Sequence, residues 1–435
     1  MDERISEKSI YAQSAKALDY PLPNERIARY PLPLRDQSKL LVWKNGRITD
    51  AHFYSLADFL PEKSLLVFNN TKVIRARLLF QKKSGANIEI FCLDPAEPAD
   101  YQLAFQQTTA CTWHCMVGNL KKWKNEVLIR EIPVNGHIIR FHAEKKNVKN
   151  GNVEVRFHWN DNTVDFATLI EATGILPIPP YLHRETETSD LERYQTIYSK
   201  IKGSVAAPTA GLHFTEAVFK SFGHKGIDCE EITLHVGAGT FKPVKSETIG
   251  EHEMHSERII VQRQFIEKIS TYQDKLIAVG TTSIRTLESL FWLGIKLLQH
   301  PNLPINDLTV EQWMPYGENQ TGTKEEALQA ILGYMDRNRI SALSASTKII
   351  IVPGYRFRIA DGMITNFHQP QSTLLLLISA YLGDDWRRVY QHALDNGYRF
   401  LSYGDSNLYL KEQARSRPNQ EFMPDGQARK GETRK

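Results

Sequence analysis

Four histidines of this chain lie in short motifs rich in small and polar residues. They are His213 in VAAPTAGLHF, His235 in ITLHVGAGTF, His255 in HEMHSE and His368 in TNFHQPQST. Histidine changes its charge between pH 5 and 8, so it suits the roles of general acid and general base. The sequence therefore predicts proton-transfer chemistry. The catalytic candidates are His213, His235, His255, His368, Glu257 and Asp361.

The HEMHSE motif does not have the spacing of a zinc site. Its histidines His252 and His255 are three positions apart, whereas the zincin pattern needs histidines four apart with a glutamate between them. The other metal-like run, from Cys111 to Cys115, has no second pair of ligands. No metal is therefore predicted, and a solvated polar turn is the alternative interpretation of HEMHSE.

A second group of residues suits the binding of a nucleotide-like ligand. Small residues let a ligand approach the backbone, hydroxyl groups bind ribose or carboxylate oxygens, and the Arg285 guanidinium suits an anion. The motif GTTSIRTLES is a strand end followed by a helix, where ligands of α/β sheets bind. Alternatively, its hydroxyls only cap the helix. The predicted binding residues are Thr209, Gly211, Gly237, Gly239, Thr240, Thr281, Thr282, Arg285, Asn366, Tyr403 and Asp405.

Alternating helices and strands must position these motifs. From Val164 onward the two patterns alternate, with helices predicted at residues 166–173, 325–338 and 373–383. Such alternation is typical of an α/β domain. Residues 78–160 instead show short strands separated by Gly, Asn and Pro, which favours a small β-barrel. The predicted fold class is α/β, with a layered α/β main domain and an inserted small β-barrel domain.

Changes in composition along the chain set the predicted boundaries. The α/β catalytic domain is discontinuous over residues 19–77 and 163–410, and the barrel domain occupies residues 78–162. Residues 295–345 are an insertion, and a strand follows at residues 348–352. Residues 1–18 are predicted to be a disordered N-terminus, and residues 411–435 a charged flexible tail.

The charge balance and the cysteine content restrict the class of protein. Lys and Arg number 54 against 50 Asp and Glu in 435 residues, which permits nucleic-acid binding without requiring it. Four cysteines are too few for a disulfide scaffold. The start MDERISEKSI lacks the apolar region of a signal peptide, and no apolar run approaches the length of a membrane span. We therefore expect a cytoplasmic monomer that makes no membrane contact.

Long motifs in a fixed order carry a resemblance to a known family. VAAPTAGLHF, ITLHVGAGTFKPV, HEMHSE, GTTSIRTLES, TNFHQPQSTL and YRFLSYGD follow one another as they do in the S-adenosylmethionine:tRNA ribosyltransferase-isomerases of queuosine biosynthesis. DYPLPNERIARYPLPLRDQSKLLV and LLVFNNTKVIRARL resemble the same family. The resemblance covers roughly residues 19–294 and 346–410 and is weaker over the predicted barrel.

The resemblance implies a transferase of the pentosyl type with isomerase activity. Such an enzyme moves the ribosyl group of S-adenosylmethionine onto 7-aminomethyl-7-deazaguanine at the tRNA wobble position and rearranges it to an epoxycyclopentane. Adenine and methionine leave, and epoxyqueuosine-tRNA is the product. The implied partners are therefore S-adenosylmethionine and tRNA carrying that base. No cofactor is implied, because S-adenosylmethionine is consumed as a substrate.

The same resemblance suggests roles for the candidate residues. Histidines would remove a proton beside the sulfonium and protonate the departing adenine, with Glu257 and Asp361 in support. Arg285 and Thr281 would hold the methionine carboxylate or the ribose. A basic face would bind tRNA, and the candidates for it are Arg26, Arg29, Arg35, Lys72, Arg75 and Arg77.

The chain also departs from the family pattern. The departures are residues 295–345, the charged tail, and Gln369, where the family motif NFHLP has leucine. They leave as alternatives a divergent paralogue acting on another nucleic-acid base and a non-catalytic tRNA-binding protein on the same fold. A third alternative is an ordinary methyltransferase. The intact histidine motifs argue against a pure binder, and no glycine-rich methyltransferase loop is evident.

Overall fold

The computed structural model describes Tyr11 and residues 15–134, 136–149, 152–237, 246–317 and 321–411. Strands in these ranges are β1 (Lys39–Lys44), β2 (Arg47–His52), β3 (Leu65–Asn69), β4 (Thr71–Val73), β5 (Arg77–Gln81), β6 (Asn87–Glu97), β7 (Ala110–Gly118), β8 (Leu128–Val134), β9 (His137–Lys149), β10 (Asn152–Trp159), β11 (Ile201–Ser204), β12 (Asp228–His235), β13 (Glu257–Gln262), β14 (Leu276–Val279), β15 (Thr309–Val310), β16 (Ala342–Thr347), β17 (Gly362–Asn366) and β18 (Ser406–Leu410).

Helices connect these strands and cover the sheets. They are α1 (Leu56–Phe59), α2 (Tyr101–Phe105), α3 (Phe166–Thr173), α4 (Asp190–Arg193), α5 (Glu216–Phe222), α6 (Arg263–Thr271), α7 (Thr281–Gln299), α8 (Lys324–Asn338), α9 (Thr373–Leu382) and α10 (Asp385–Asp395). Three of them, α3, α8 and α9, match the helices predicted from the sequence to within one residue at each end.

The main sheet has ten strands in the order β15-β16-β13-β12-β3-β14-β17-β18-β1-β2. Its centre, β12-β3-β14-β17, is parallel. Parallel strands are covered on both faces of their sheet, so their side chains point alternately into two apolar cores. In β3, Leu65 and Val67 belong to the apolar core on one face, whereas Leu66 and Phe68 belong to the core on the other. The layered α/β fold is therefore confirmed.

A separate six-stranded antiparallel sheet has the order β5-β6-β7-β10-β9-β8. It curves until its edge strands approach one another, and Arg130 of β8 donates from Nη1 to the Leu79 carbonyl of β5 at 2.9 Å. Alternate residues of β7 point into its core, so Cys111, Trp113 and Cys115 are buried. This barrel-like sheet confirms the second part of the predicted fold class, whereas the domain boundaries themselves stay predictions.

The region predicted as an insertion contributes to the main core. Helix α7 runs past residue 295 without a break, and α8 packs directly on it. A methyl group at Gly294 of α7 would lie 2.2 Å from the Ala327 carbonyl oxygen of α8, so this glycine permits the close crossing. The strand predicted at residues 348–352 is wrong. The strand is instead β16, because residues 342–347 pair along the length of β13.

Near the start of the described chain, Ala15–Leu18 form a 3-10 helix and Leu18 is buried. Ordered chain therefore begins before the predicted boundary at residue 19, and the rest of the predicted N-terminus, apart from Tyr11, lies outside the described residues. The predicted tail lies outside them too, except for Lys411. No helix in the described ranges is long and apolar enough to cross a membrane.

Candidate active site

The carboxyl ends of β14 and β17 open onto a cleft. It lies where α/β sheets bind their ligands. No Asp, Glu, Lys or Arg of the described residues lines the cleft. The polar side chains that do so belong to Tyr181, Tyr194, Thr209, Thr281, Thr282, Thr365, Asn366, His368, Gln369, Ser372, Thr373 and Ser402.

The turn from β14 into α7 forms one wall of the cleft. Gly280 has a φ of +89°, a conformation that residues with a side chain rarely adopt. No side chain caps the first turn of α7, and the buried hydroxyl of Thr282 has no hydrogen-bond partner. The start of α7 therefore offers uncapped backbone amides and an unused hydroxyl to a ligand. The predicted binding residues Thr281 and Thr282 both lie here.

The VAAPTAGLHF motif forms the neighbouring part of the wall, with Ala210 next to Gly280. Thr209 lines the cleft at the start of a 3-10 helix over Thr209–His213. Gly211 does not face the cleft, because a methyl group there would lie 1.9 Å from the Tyr198 hydroxyl. This glycine permits close packing inside the protein. The prediction that its small size lets a ligand approach does not match its position.

His213 lies one layer behind the cleft wall and holds Asn366 in place. Asn366 donates from Nδ2 to the carbonyl oxygens of Leu401 and Ser402, so its Oδ1 accepts from His213 Nε2 at 3.0 Å. His213 Nδ1 then accepts from the Ser38 hydroxyl at 2.8 Å. Burial lowers the pKa of His213 to about 4. The ring is therefore neutral at neutral pH and orients the Asn366 amide.

Among the described histidines, His368 alone lines the cleft. Its Nε2 is 3.0 Å from the Thr365 hydroxyl, and its backbone N–H donates to the Tyr390 hydroxyl at 3.1 Å. Burial lowers the pKa of His368 to about 3, which favours the neutral imidazole. A neutral imidazole can accept a proton. The two tyrosines of the cleft cannot, because burial raises the pKa of Tyr181 to about 12 and that of Tyr194 well above 10.

Arg285 and Glu257 form a buried ion pair in a second cavity. This cavity adjoins the cleft, because Thr373 and Leu374 line both. Nη1 of Arg285 pairs with Glu257, whereas its buried Nε and Nη2 have no hydrogen-bond partner. Burial lowers the pKa of Arg285 to about 10, so it remains charged at neutral pH. Two unused donors on a buried cation make this a candidate anion site beside the cleft.

Two other predicted residues, His255 and Gly237, lie at or beside the same cavity. His255 is exposed and borders the cavity. The Gly237 N–H donates to Glu257 Oε1 at 3.3 Å, and nothing lies within 4 Å of where a methyl group at Gly237 would be. The predicted Gly239 and Thr240 lie outside the described residues. The structure therefore brings His255, Glu257, Arg285 and Gly237 together beside the cleft.

His235 lies away from the cleft, although Val236 lines it, because neighbouring residues of a strand face opposite sides. Its ring stacks on Tyr101 of α2 with the centroids 4.2 Å apart. Burial, together with the charge of Arg258, lowers its pKa to about 4, and its Nε2 has no partner. His235 thus joins the main sheet to the barrel-like sheet.

Asp361 lies at the far end of the sheet. It precedes β17, and its carboxylate accepts the backbone N–H of Leu276 at 2.9 Å and pairs with Lys275 at 3.3 Å. The cleft is at the opposite ends of these two strands. Asp361 therefore holds the start of β14 against β17, and the structure does not place it with the other catalytic candidates.

Tyr403 and Asp405 also do not line the cleft. The Tyr403 hydroxyl donates to Asp190 at 2.8 Å. Asp405 accepts the backbone N–H groups of Arg399 and Lys39, at 2.8 and 3.0 Å. Both side chains hold the loop that carries Ser402 to the cleft. Neither side chain therefore contacts a ligand held in the cleft.

Sequence reasoning missed Ser38, Tyr181 and Tyr194 as parts of the site. Ser38 contacts His213 across 175 residues, and the tyrosines belong to a proline-rich stretch and a short helix end. Ser38 lies in the motif PLRDQSKLLV and Tyr194 in the motif YQTIYSK, but nothing in either motif indicates which side chain faces a ligand.

The family model and the curated relatives indicate one family. A family model described as queuosine biosynthesis protein matches residues 15–409. The S-adenosylmethionine:tRNA ribosyltransferase-isomerase of Azoarcus sp. (strain BH72) is 36% identical over 404 residues, which is 92% of this chain and 98% of that protein. The protein of the same name from Halothermothrix orenii is 37% identical over 401 residues, 90% of this chain and 98% of that one. A solved structure, S-adenosylmethionine tRNA ribosyltransferase from Thermotoga maritima, is 25% identical, covers 90% of this chain and 99% of its own, and gives a TM-score of 0.42.

Proposed function

This chain belongs to the queuosine biosynthesis protein family and is a tRNA ribosyltransferase-isomerase, and from that premise we propose its substrates and product. The ribosyl donor is S-adenosylmethionine, and the acceptor is 7-aminomethyl-7-deazaguanine at the tRNA wobble position. Adenine and methionine are released, and the product is epoxyqueuosine-tRNA. The cytoplasmic location, the monomeric state and the lack of a cofactor stay predictions.

The observation that carries this proposal is the unpaired face of Arg285. A methionine carboxylate fits its free Nε and Nη2, because a guanidinium binds a carboxylate through two parallel hydrogen bonds. Glu257 holds the guanidinium from the other side. With the carboxylate there, the rest of S-adenosylmethionine extends past Thr373 and Leu374, which line both cavities, into the uncharged cleft.

The cleft suits the ribose and the adenine for separate reasons. Ribose hydroxyls can pair with the free hydroxyl of Thr282 and the uncapped first turn of α7. Adenine is a flat, uncharged ring, and Phe367, Val236 and Leu401 supply apolar walls for it. Asn366 accepts from His213 through Oδ1 and donates to two carbonyls through Nδ2, so it is a fixed part of that wall.

Proton removal is assigned to His368. Among the described residues it is the only histidine that lines the cleft, and no carboxylate lines the cleft to compete for that role. Thr365 orients the ring through Nε2. A base that already lacks its proton can attack the acidified C–H beside the sulfonium and can return the proton later in the cycle. His255, on the Arg285 cavity, is the second candidate for proton transfer.

A product assay tests the proposal. Purified protein is incubated with S-adenosylmethionine and tRNA carrying 7-aminomethyl-7-deazaguanine, and mass spectrometry follows adenine, methionine and the epoxide nucleoside. The matched control is the same tRNA with unmodified guanine, which should give no product. We expect adenine and the epoxide nucleoside in equal amounts.

Other products would identify the alternatives. S-adenosylhomocysteine would indicate a methyltransferase. Binding of tRNA without turnover would indicate a non-catalytic binding protein. Adenine release with a tRNA lacking the expected base would indicate a paralogue with another acceptor. The reason to test this is that Gln369, where the chain departs from the family motif, lines the cleft.

A further inference from the structure

Three arginines converge on a small cavity on the other side of the His213 layer. They are Arg35, Arg193 and Arg399, which come from three segments far apart in the sequence. No carboxylate of the described residues lines this cavity. Asp405 pairs with Arg399 at 3.2 Å, and the charge of Glu192 also acts on Arg35, so three positive charges face two nearby negative charges.

The arginines are held in place by backbone groups. Arg35 donates to the carbonyl oxygens of Gln195 and Glu192, and Arg193 donates to those of Leu32 and Pro33. Carbonyl oxygens fix the guanidiniums without neutralising them. The buried Nε of Arg193 has no hydrogen-bond partner. This arrangement keeps the positive charge and a free donor available to something else.

The charges also affect one another. Burial, and then the neighbouring charge of Arg193, lower the pKa of Arg35. Burial lowers the pKa of His213, and the charges of Arg399 and Arg35 act in the same direction. Like charges held close together in a partly buried cavity are unfavourable unless an anion joins them. The charges of these arginines therefore favour the binding of an anion in this cavity.

The cavity is next to the cleft. Ser402 lines both, and His213, which lines the cavity, contacts Asn366 of the cleft through Nε2. An anion in the cavity is thus separated from a ligand in the cleft by one layer of side chains. A nucleotide whose base enters the cleft has such an anion on each side of it, because phosphates flank every nucleotide of an RNA strand.

We propose that the cavity formed by Arg35, Arg193 and Arg399 binds a backbone phosphate of the tRNA next to the nucleotide that is modified. The inference rests on the proposed function for the identity of the nucleic acid. Planar guanidiniums recognise phosphate through paired hydrogen bonds, and such contacts fix the register of a nucleic acid without reading its bases. The cavity would thereby place the acceptor base in the cleft.

The test compares tRNA binding by the variants Arg35→Gln and Arg193→Gln with that of Arg47→Gln. Arg47 is a matched control because it is exposed and lies at the start of β2. Its backbone partner in the neighbouring strand is Lys44, at the end of β1 that lies away from the cavity. We expect each of the first two variants to weaken tRNA affinity roughly tenfold. The slope of log affinity against log salt concentration should also fall by about 0.7–1, the loss of one phosphate contact. The KM for S-adenosylmethionine should not change.

Charge-retaining variants separate phosphate binding from support of the fold. Arg193→Lys keeps the charge but cannot reproduce the two bonds to Leu32 and Pro33, so recovery of the salt slope in this variant would support the proposal. Unchanged tRNA affinity in folded, active Gln variants would overturn it. So would a raised KM for S-adenosylmethionine alone, because the anion would then belong to that substrate. Inactivity of the unaltered protein would instead contradict the proposed function.

Discussion

Among single residues, Arg285 offers a direct test of how S-adenosylmethionine is bound. If it binds the methionine carboxylate, Arg285→Gln should raise the KM for S-adenosylmethionine by roughly 10–100-fold, since a hydrogen bond to a charged group contributes about 1.5–3 kcal/mol. The KM for tRNA should change little. Steady-state kinetics with each substrate varied in turn gives both values.

The same substitution leaves Glu257 buried without its partner, which by itself destabilises the fold. The double variant Arg285→Gln with Glu257→Gln removes that unpaired charge. If the double variant folds and binds S-adenosylmethionine as well as the unaltered protein does, the carboxylate is held elsewhere. Arg263→Gln, at a partly exposed, ion-pairing arginine on α6, is the control for loss of one positive charge.

His368 is the residue on which the proposed proton transfer depends. His368→Gln keeps a polar side chain in the cleft but removes the base, so kcat should fall by roughly 100-fold or more, the usual contribution of a general base. The KM for S-adenosylmethionine should stay within a few-fold. His300→Gln, at an exposed position after α7, is the control. An unchanged kcat in the His368 variant would move the role to His255.

At the scale of elements, the crossing of α7 and α8 depends on the absence of a side chain. Gly294→Ala would place a methyl group 2.2 Å from the Ala327 carbonyl oxygen and force the helices apart, although alanine favours the helix. We expect a loss of about 1–3 kcal/mol in the free energy of unfolding. Because the other end of α7 forms the cleft wall, catalytic activity should fall as well.

Gly333→Ala on α8 is the matched comparison. The nearest atom to a methyl group there is the flexible end of Arg337 at 3.5 Å, an ordinary contact. This variant should gain up to about 1 kcal/mol from helix propensity. Denaturant unfolding of both variants gives the two values. Equal effects of the two substitutions would show that α7 and α8 do not cross as closely as described.

At the scale of the whole molecule, three buried histidines make stability depend on pH. His213 and His235 have pKa values of about 4 and His368 of about 3, all below the ordinary value of 6.5. Below pH 6.5 the unfolded chain binds protons that the folded protein does not. The stabilisation is therefore complete above pH 6.5 and is lost as the pH falls toward about 4.

Urea unfolding at about pH 7 and about pH 5 measures this dependence, and each buried histidine should contribute about 2 kcal/mol to the difference. His235→Gln should reduce the difference by about that amount without affecting the cleft, because His235 lies outside it. A pH dependence that stays the same in this variant would contradict the buried, neutral state of His235.

The class of fold, several helix limits and the family could be predicted from the sequence alone. Helix α9 begins after Ser372, whose hydroxyl caps it, and α8 begins with the Thr323–Glu326 capping box. Such signals lie within a few residues of what they specify, so they can be read along the chain. Motif order is equally local information. The motifs around His368 and Arg285 can therefore be assigned to a functional site from the sequence alone.

Which motif residues meet could not be predicted from the sequence, because it depends on contacts between distant segments. Pairing of β14 with β17 brings Gly280 and Asn366, which are 86 positions apart in the sequence, to one cleft, while Asp361 lies at the far end. At the end of β12, His235 packs on Tyr101, whereas the next residue, Val236, lines the cleft. Strand order and side-chain direction depend on contacts between distant segments. For that reason the arginine cavity, whose members lie as far apart as Arg35 and Arg399, was not visible in the sequence.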